Sequence, residues 1–377
     1  MDFVEHAAKD ALRRFDVPVP RGAVARTADE AAARASEIGA CVIKAQVPIG
    51  KRGKAGGIKL AASPDEARNH AAQILGMEIG GFRTDAVLVE AQTAIDKELY
   101  AAVVNDSASK GPMLLFSTMG GMDVEEAAER DPNAMRHEPI AITDGLDEAT
   151  VAHAISGLGL DAQATALTAT LLNLYRAYRA LDAELLEINP LAITADGDVI
   201  ALDCKLTIDD AAAPRQEEMA ALAADEQLTD IERKAADAGL KYIALDGSVG
   251  VLANGAGLTM TTMDVIAHYG GRPANFLEIG GEAYTKATVA LSILLENPNI
   301  KSLLVNFCGA FARTDVMAEG VVTAWKELNP DIPVFFTIHG TGEDEAIALV
   351  ERELGIKPFD LMDDAVKAAV AAADGTA

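Results

Sequence analysis

A glycine-rich, basic segment at residues 41–60, CVIKAQVPIGKRGKAGGIKL, carries groups that can bind phosphate. Glycines let backbone N–H groups approach phosphate oxygens, and nearby cations offset the phosphate charge. Four cations lie among its glycines: Lys51, Arg52, Lys54 and Lys59. The flanks have strand character and no GxxxxGK[ST] pattern is present, so this is not a Walker loop. The segment is therefore either a phosphate-binding loop or a solvated basic hairpin.

An apolar hairpin, LLEINPL followed by VIALDCK, carries a second group of polar residues. Its turn contains Asp196-Gly197, a strong hairpin signal. Glu187 and Asn189 face one side of their strand, and pairing across the turn places Asn189 roughly opposite Asp203. Such carboxylate and amide oxygens suit Mg²⁺, which binds one or two carboxylates together with nucleotide phosphates. Alternatively, Asn189 and Asp203 only form turns at strand ends, although an acid among apolar neighbours needs a partner.

Two further acids mark the ends of neighbouring predicted strands. Glu90 ends VLVEA, and Glu98 begins the strand that contains KELY. Beside a nucleotide, such acids can accept hydrogen bonds from adenine or from ribose hydroxyls. The alternative is that both are solvated turn residues.

The C-terminal half contains two glycine-bearing turns between a strand and a helix. They lie in VLANGAGLTMTTMD, which is Val251–Asp264, and in SLLVNFCGAFARTD, which is Ser302–Asp315. The helix N-terminus after such a turn presents free N–H groups to an anion. Ordinary βα loops also need glycine and asparagine, so both interpretations stay open.

The pattern of elements predicts an α/β protein with two domains. Helices and strands up to residue 208 are followed by a charged, helical stretch at Asp209–Asp237, which we interpret as a linker. Beyond it short strands and helices alternate, which is typical of a parallel sheet with helices on both faces. The predicted domains are residues 1–237 and 238–377.

Composition narrows the class of protein. A chain of 377 residues is long enough for two or three domains, and its net charge of −26 opposes binding to nucleic acid or anionic lipid. No apolar run is long enough to span a bilayer, and the N-terminus lacks the features of a secretory signal, so we expect a cytoplasmic protein. Three widely spaced cysteines favour buried thiols over a disulfide framework or zinc site: Cys41, Cys204 and Cys308.

These segments together resemble the β subunits of the succinyl-CoA synthetase family of ADP- or GDP-forming acid–CoA ligases, which includes malate–CoA ligase. The matching pieces, in family order, are KAQV, RGKAGGIK, VLVEA, KELY, LLEINPL, ALDCK, YIALDGSVG, NGAGL, TMD, GGRPANFLEIGG and LLVN. The resemblance implies an N-terminal ATP-grasp domain, residues 1–237 with the linker helix, and a C-terminal flavodoxin-like CoA-ligase domain with a doubly wound parallel sheet, residues 238–377.

The resemblance also implies roles for individual residues. The nucleotide (ATP or GTP) would be held by a set of residues that includes the loop cation Lys51: Lys44, Lys51, Arg52, Gly53, Glu90, Thr93 and Glu98. Mg²⁺ would lie on Asn189 and Asp203. Contacts to the acid or to the phosphorylated partner would come from Asn254, Ala310, Phe311 and Ala312.

The family reaction implies that this chain is only part of an enzyme. It runs through an acyl phosphate and a phosphohistidine, and the histidine belongs to an α subunit that also supplies most of the CoA site. Neither glycine-bearing turn of this chain carries a histidine. We therefore assign no catalytic residue here with certainty, and we expect an αβ or α2β2 assembly.

Several positions depart from the family pattern. Pro48 replaces a usual His, Lys51 a usual Gly, and Gly280-Gly281-Glu282 a usual run of three glycines. The turn GAFA contains Ala310 and Phe311 where the family has GGIV or AGIN, and His339 replaces another residue. Because Ala310 and Phe311 would change the size and polarity of the acid pocket, malate or a sulfonated short carboxylate is an alternative to succinate.

Two hypotheses of other classes remain. A single-chain ATP-grasp enzyme could join a carboxylate to an amine, with the C-terminal domain as the substrate module. A non-catalytic regulatory paralogue could keep the fold after losing turnover, as the altered turns suggest.

Overall fold

The computed structural model describes residues 1–122, 134–224, 228–279 and 283–375, with the backbone alone at residues 283–285. The chain divides into two compact units, Met1–Gln227 and Leu228–Ala377. This division lies earlier than the predicted boundary after residue 237. Helix Asp230–Asp237, predicted as part of the linker, packs with the second unit because Ala235 is buried in that unit's core.

The first unit begins with helix α1 (Glu5–Arg13), followed by a small antiparallel sheet with strand order β1–β6–β2–β3. Side chains of α2 and α3 pack on one face of this sheet. Both helices have side-chain N-caps, since Thr27 accepts from the N–H of Glu30 and Ser63 from that of Glu66. The elements are β1 Gly22–Ala25, α2 Ala28–Ile38, β2 Cys41–Ala45, β3 Ile58–Ala61, α3 Pro64–Ile74, β4 Glu78–Ile79, β5 Phe82–Arg83 and β6 Val87–Ala91.

A larger antiparallel sheet follows, with strand order β11–β10–β7–β8–β9 and with β12 also paired to β10. Its apolar core contains buried side chains of α1, α4 and α5. The elements are β7 Ile95–Asp106, β8 Gly111–Ser117, β9 Met135–Pro139, α4 Glu148–Ile155, α5 Ala164–Ala180, β10 Ala183–Thr194, β11 Val199–Ala201, β12 Lys205–Ile208 and α6 Glu217–Ala220. Short 3₁₀ helices occupy Asp161–Gln163 and Asp210–Arg215.

The predicted hairpin is present, but its second strand is split into β11 and β12. Leu191 pairs with Ala201 and Glu187 with Lys205, so the same register places residue 189 opposite residue 203. Between the two strands, the Leu202 carbonyl accepts hydrogen bonds from two lysine side chains. The prediction of one continuous strand over residues 199–205 is therefore wrong, because the Leu202 carbonyl accepts hydrogen bonds from side chains.

The second unit contains a parallel sheet with helices on both faces, as predicted. Strands β14, β16 and β17 are adjacent and parallel. Parallel bridges place β15 beside β14 and Phe359 beside β17, which gives the order 2-1-3-4-5 of flavodoxin-like folds. The elements are α7 Asp230–Asp237, β13 Tyr242–Ala244, β14 Val249–Ala253, α8 Ala256–His268, β15 Asn275–Leu277, α9 Ala283–Leu295, β16 Ser302–Gly309, α10 Thr314–Leu328, β17 Val334–Gly340, α11 Glu343–Leu354 and α12 Met362–Ala373.

Two apolar clusters cover the parallel sheet. One joins it to α8 and α12, and the other joins it to α7, α9, α10 and α11. Cys41 and Cys204 are buried as predicted, whereas Cys308 near the end of β16 is exposed, which corrects that prediction. Across the four described ranges, no helix is long and apolar enough to cross a membrane.

Candidate functional site

The glycine-rich loop and the apolar hairpin line one cleft of the first unit, with a volume of about 720 Å³. Residues 189 and 203, predicted as metal ligands, and residues 51–53, predicted to bind nucleotide, all contribute to its wall. Its lining residues are Gly50, Lys51, Arg52, Gly53, Lys54, Ile58, Gly121, Met122, Glu187, Asn189, Pro190, Asp203 and Lys205. Two segments more than a hundred residues apart in the chain therefore face the same space.

The glycine-rich loop is anchored at its end by Gly57. The N–H of Gly57 donates to the carbonyl of Arg52 at 2.9 Å, and the Gly57 carbonyl accepts from the N–H of Ala45 at 2.7 Å. A Cβ on Gly57 would lie only 2.8 Å from the Cδ1 of Ile79. Glycine therefore suits this closely packed position, and the two hydrogen bonds hold the loop against the sheet.

Arg52 is buried, with 5% of its surface exposed, so the hypothesis of a wholly solvated loop is wrong for this cation. Its Nη2 donates to both carboxylate oxygens of Asp203, at 2.6 and 2.7 Å. Its Nη1 donates to Glu5 Oε2 at 2.6 Å and to the carbonyl of Ala45 at 3.0 Å. Burial alone would lower the pKa of Arg52, but Glu5 and Asp203 outweigh it and raise the pKa above the ordinary value.

Asn189 is fixed by the segment that follows β8. Its Oδ1 accepts from the N–H of Gly121 at 2.8 Å, and its Nδ2 donates to the carbonyl of Met122 at 2.9 Å. Glu187, on the same face of β10, accepts from the hydroxyl of Tyr100 at 3.0 Å. Burial and the neighbouring Glu187 charge together raise the pKa of Tyr100, so the phenol stays protonated and donates.

The donor atoms of the cleft fit a hard cation. Asn189, Asp203 and Glu187 each carry a side-chain oxygen that can bind a metal, the ligand type that Mg²⁺ prefers, and nucleotide phosphates and water complete such sites. Among the described residues, no three His, Cys, Asp or Glu side chains are grouped closely enough to hold a metal by themselves. A metal on Asp203 would share that carboxylate with Arg52, because both oxygens accept from the guanidinium.

Lys44 and Glu90 do not line the cleft but lie behind it in a buried charge cluster. The Nζ of Lys44 donates to Glu90, to Glu5 Oε1 at 3.0 Å and to the carbonyl of Leu202 at 2.6 Å. Burial alone would lower the pKa of Lys44, but the acids around it, with Glu5 first, raise it above the ordinary value. The lysine is therefore charged in the fold.

Sequence reasoning missed Glu5 and Lys9 of α1, which complete the buried charge cluster. Lys9 Nζ contacts Glu5 Oε1 at 2.7 Å and also bonds to Glu90. A signal for them existed, because Glu5 and Lys9 have the i, i+3, i+4, i+7 spacing with Ala8 and Leu12, both wholly buried. Charged residues on the apolar stripe of an amphipathic helix need buried partners.

The other two predicted nucleotide contacts, Glu98 and Thr93, do not line the cleft. Glu98 is exposed and borders Gly121, where an added Cβ would lie 2.2 Å from Glu98 Oε2. Since Gly121 lines the cleft, Glu98 lies at its margin. Thr93 is half-buried in the turn between β6 and β7, three residues after Glu90.

In the second unit, the two glycine-bearing turns meet at the carboxyl ends of β14 and β16. Asn254 joins them, since its Nδ2 donates to the carbonyl of Cys308 at 2.9 Å and its Oδ1 accepts from the Cys308 N–H at 2.8 Å. Ligands of doubly wound sheets bind at this edge. Within the second turn, Ala310 is exposed, Ala312 is half-buried and the side chain of Phe311 is fully exposed.

The remaining departures from the family pattern are placed as follows. His339, at the end of β17, donates from Nε2 to the carbonyl of Asp360 at 2.7 Å. Pro48 lines a small cavity of about 110 Å³ next to Arg52 and Asp203. Glu282 lies outside the described residues.

Comparison with known proteins agrees with this division of the chain. Residues 2–193 match the ATP-grasp domain family, and residues 252–370 match the CoA-ligase family. The chain is 43% identical over 376 residues to the β subunit of ADP-forming succinate–CoA ligase from Chloroflexus aurantiacus, covering 99% of each chain. This chain belongs to the succinate–CoA ligase β-subunit family. The predicted family and its two domain types are thereby confirmed.

Other family members are similar to the same extent. The ADP-forming β subunit of Rubrobacter xylanophilus is 41% identical, covering 98% of each chain. The GDP-forming β subunit of Thermus thermophilus is 41% identical, covering 100% of each chain. Among solved structures, ATP citrate lyase from Methanothrix soehngenii matches with a TM-score of 0.72 at 21% identity, covering 98% of this chain and 99% of that one, and supports the fold alone.

Proposed function

We propose that this chain is the nucleotide-binding β subunit of an ADP- or GDP-forming succinate–CoA ligase that works with a CoA-binding α subunit. One observation carries the proposal: the glycine-rich loop and the Asn189/Asp203 hairpin, far apart in sequence, line one cleft. Relatives that match nearly the full length carry that name in both ADP- and GDP-forming versions. The overall reaction converts nucleoside triphosphate, acid and CoA into nucleoside diphosphate, phosphate and acyl-CoA.

Each wall of the cleft has a task in this proposal. Backbone N–H groups at residues 50–53 and the Lys51 and Lys54 side chains face the nucleotide phosphates and offset their charge. Asn189 and Asp203 would hold Mg²⁺, which supplies electrostatic stabilisation of the phosphate oxygens during transfer. Arg52 is positioned to pass from Asp203 to a phosphate oxygen, because its guanidinium lies at the junction of both walls.

Lys44, Glu90, Thr93 and Glu98 complete the proposed nucleotide site. Glu98 at the cleft margin would meet the ribose or the base, and Thr93, in the segment between β6 and β7, would be a further contact. Lys44 and Glu90 are buried and are paired with each other. Ligand binding requires that part of this pairing be exchanged for contacts to the nucleotide.

The phosphoryl group passes between the nucleotide, a histidine of the partner subunit and the acid carboxylate. Asn254 and residues 310–312 form the edge that would meet the acid or the phosphorylated partner, and the exposed Phe311 ring is available for that contact. We propose succinate as the acid. Malate or a sulfonated short carboxylate is the alternative, since Ala310 and Phe311 change this edge.

The test is an acid panel with the co-expressed α and β subunits in an αβ or α2β2 assembly. Succinate, malate and sulfoacetate are each supplied with CoA and Mg·ATP or Mg·GTP, and loss of free thiol is measured. We expect CoA-thioester formation fastest with succinate and none by the β chain alone. A product that forms without CoA and requires an amine would instead support the single-chain carboxylate–amine ligase. Absence of turnover with every acid would support the regulatory paralogue.

A further inference from the structure

Helix α1 carries two charged side chains that the proposed nucleotide site does not itself use. Glu5 and Lys9 are 2% and 1% exposed, and Lys9 is among the largest wholly buried side chains of the described chain. They lie one helical turn apart and contact each other at 2.7 Å. Burying two full charges is costly unless each is held by several partners.

Their partners are the predicted nucleotide-binding residues. Lys9 forms an ion pair with one oxygen of the Glu90 carboxylate, and Lys44 forms an ion pair with the other. Glu5 accepts from Lys44 through Oε1 and from Arg52 through Oε2. Both oxygens of each acid are therefore occupied, which fixes the position and rotation of both carboxylates.

The backbone next to the proposed metal ligand belongs to the same arrangement. Lys9 and Lys44 both donate to the carbonyl of Leu202, at 2.7 and 2.6 Å, and Leu202 directly precedes Asp203. Glu5 also lines the small cavity that Arg52 and Asp203 share. Helix α1 thus contacts the loop, both central strands of the small sheet and the hairpin through two side chains.

Positive and negative charges are equal in number in the buried charge cluster. It consists of three acids and three bases: Glu5, Glu90, Asp203, Lys9, Lys44 and Arg52. Buried ion pairs are weak sources of net stability, because apolar replacements are often neutral or stabilising. The more informative property of these ion pairs is therefore that they hold neighbouring side chains in fixed positions.

We propose that Glu5 and Lys9 are positioning residues for nucleotide binding, holding Glu90, Lys44 and Arg52 in place from behind the cleft. The inference rests on the proposed function of the cleft. When Lys44 or Arg52 turns to a phosphate, Lys9 keeps Glu90 paired and Glu5 keeps the remaining cation paired. The ion pairs of the cluster can then rearrange without leaving a buried charge that lacks a partner of opposite charge.

The experiment compares full-length variants in the αβ complex and as the β chain alone. Glu5→Gln and Lys9→Met each remove one charge. The double variant removes both and leaves Glu90 and Asp203 balanced by Lys44 and Arg52, so it keeps the charge balance needed to fold. Asp10→Asn is the matched control, because Asp10 lies on the same helix with 57% of its side chain exposed.

Three quantities are measured: the thermal midpoint, the Kd for Mg·ADP by calorimetry, and the KM for nucleotide and for acid. For the double variant we expect a folded protein whose Kd and nucleotide KM rise about tenfold or more, the scale on which supporting partners change ligand affinity. The KM of the double variant for the acid should stay at the wild-type value. All measured quantities of the Asp10→Asn control should also stay at wild-type values. A kcat that falls far more than the nucleotide affinity would count against positioning of the nucleotide.

Two outcomes separate this inference from the proposed function. If the wild-type chain binds Mg·ADP and the folded double variant binds it equally well, Glu5 and Lys9 are only structural and the inference fails. If the wild-type chain itself binds no Mg·ADP, the proposed function of the cleft fails.

Discussion

The Nη2 of Arg52 donates to both carboxylate oxygens of Asp203, at 2.6 and 2.7 Å. Arg52 is buried, whereas Asp203 keeps 32% of its side chain exposed toward the cleft. A predicted phosphate-binding cation and a predicted metal ligand are thus in direct contact. If the Arg52 and Asp203 side chains moved apart, the guanidinium could bind a phosphate and the carboxylate could bind a cation.

Substitution of Asp203 tests this junction. We expect Asp203→Asn to weaken Mg·ADP binding by about tenfold or more, because it removes the anionic oxygen offered to the metal. The change also leaves Arg52 with one charged partner fewer, so the thermal midpoint falls. Asp196→Asn at the exposed tip of the same hairpin is the control. Calorimetric titration of both variants with Mg·ADP measures the effect, and equal Kd values would exclude Asp203 from metal binding.

The close packing at Gly57 leads to a second prediction. Gly57→Ala would place its Cβ 2.8 Å from Ile79 Cδ1, 3.0 Å from Ala45 Cβ and 3.2 Å from the Arg52 carbonyl oxygen, so the surrounding atoms must shift. We expect a loss of about 1–3 kcal/mol in the free energy of unfolding, as for other overpacked sites. Gly50→Ala is the matched control, since nothing lies within 4 Å of its added Cβ. Urea unfolding followed by circular dichroism distinguishes them, and equal stabilities would contradict the packing argument.

The sequence alone predicted much of the fold. The Asp196-Gly197 turn and the alternation of strands and helices after residue 240 are local signals. The pairing of Asn189 with Asp203 followed from counting across that turn, and the register agrees. These features were accessible because each depends on a few neighbouring residues.

What the sequence did not reveal depends on contacts between distant segments. Arg52 lies in a stretch typical of solvated loops, yet Glu5 and Asp203 bury it. The strand is interrupted at Leu202 because the Leu202 carbonyl accepts hydrogen bonds from Lys9 and Lys44. No local sequence pattern signals these two contacts. Helix Asp230–Asp237 belongs to the second unit because Ala235 finds its apolar partners there.

The buried carboxyl of Glu5 makes stability depend on pH. Burial alone would raise the pKa of Glu5, but Arg52, Lys44 and Lys9 outweigh it and hold the pKa well below the ordinary value of 4.5. A depressed pKa contributes stability that is present above pH 4.5 and is lost as the pH falls through the folded-state value. Glu5→Gln should therefore show a weaker loss of thermal midpoint on acidification than the wild type.

Glu37→Gln is the control for this pH dependence, because Glu37 is 59% exposed and the charge change is the same. Thermal midpoints of the three proteins are measured from neutral pH downward. The gap between wild type and Glu5→Gln should be widest above pH 4.5 and should narrow below it. A gap that is constant across the range would show that Glu5 is not held charged in the fold.

Asn254 supports a prediction for the second unit. Asn254→Ala removes two hydrogen bonds to the backbone of Cys308 and so frees the turn at residues 309–312. We expect the kcat/KM for the acid to fall about tenfold, as when two modest hydrogen bonds are lost. Binding of Mg·ADP should stay unchanged, because the proposed nucleotide site lies in the first unit. Thr261→Ala on the exposed surface of α8 is the control, and a parallel loss of Mg·ADP binding would contradict this division of tasks.

In the proposed function, the first unit binds Mg·nucleotide, whereas acyl-CoA synthesis requires a second chain. The most direct test of this proposal is calorimetric titration of the purified chain with Mg·ADP and Mg·GDP, combined with an assay of CoA-thioester formation before and after addition of the α subunit. We expect binding of at least one nucleotide at a single site, no thioester from the chain alone, and thioester once the partner is present. Thioester formation by the chain alone, or failure to bind either nucleotide, would contradict the account.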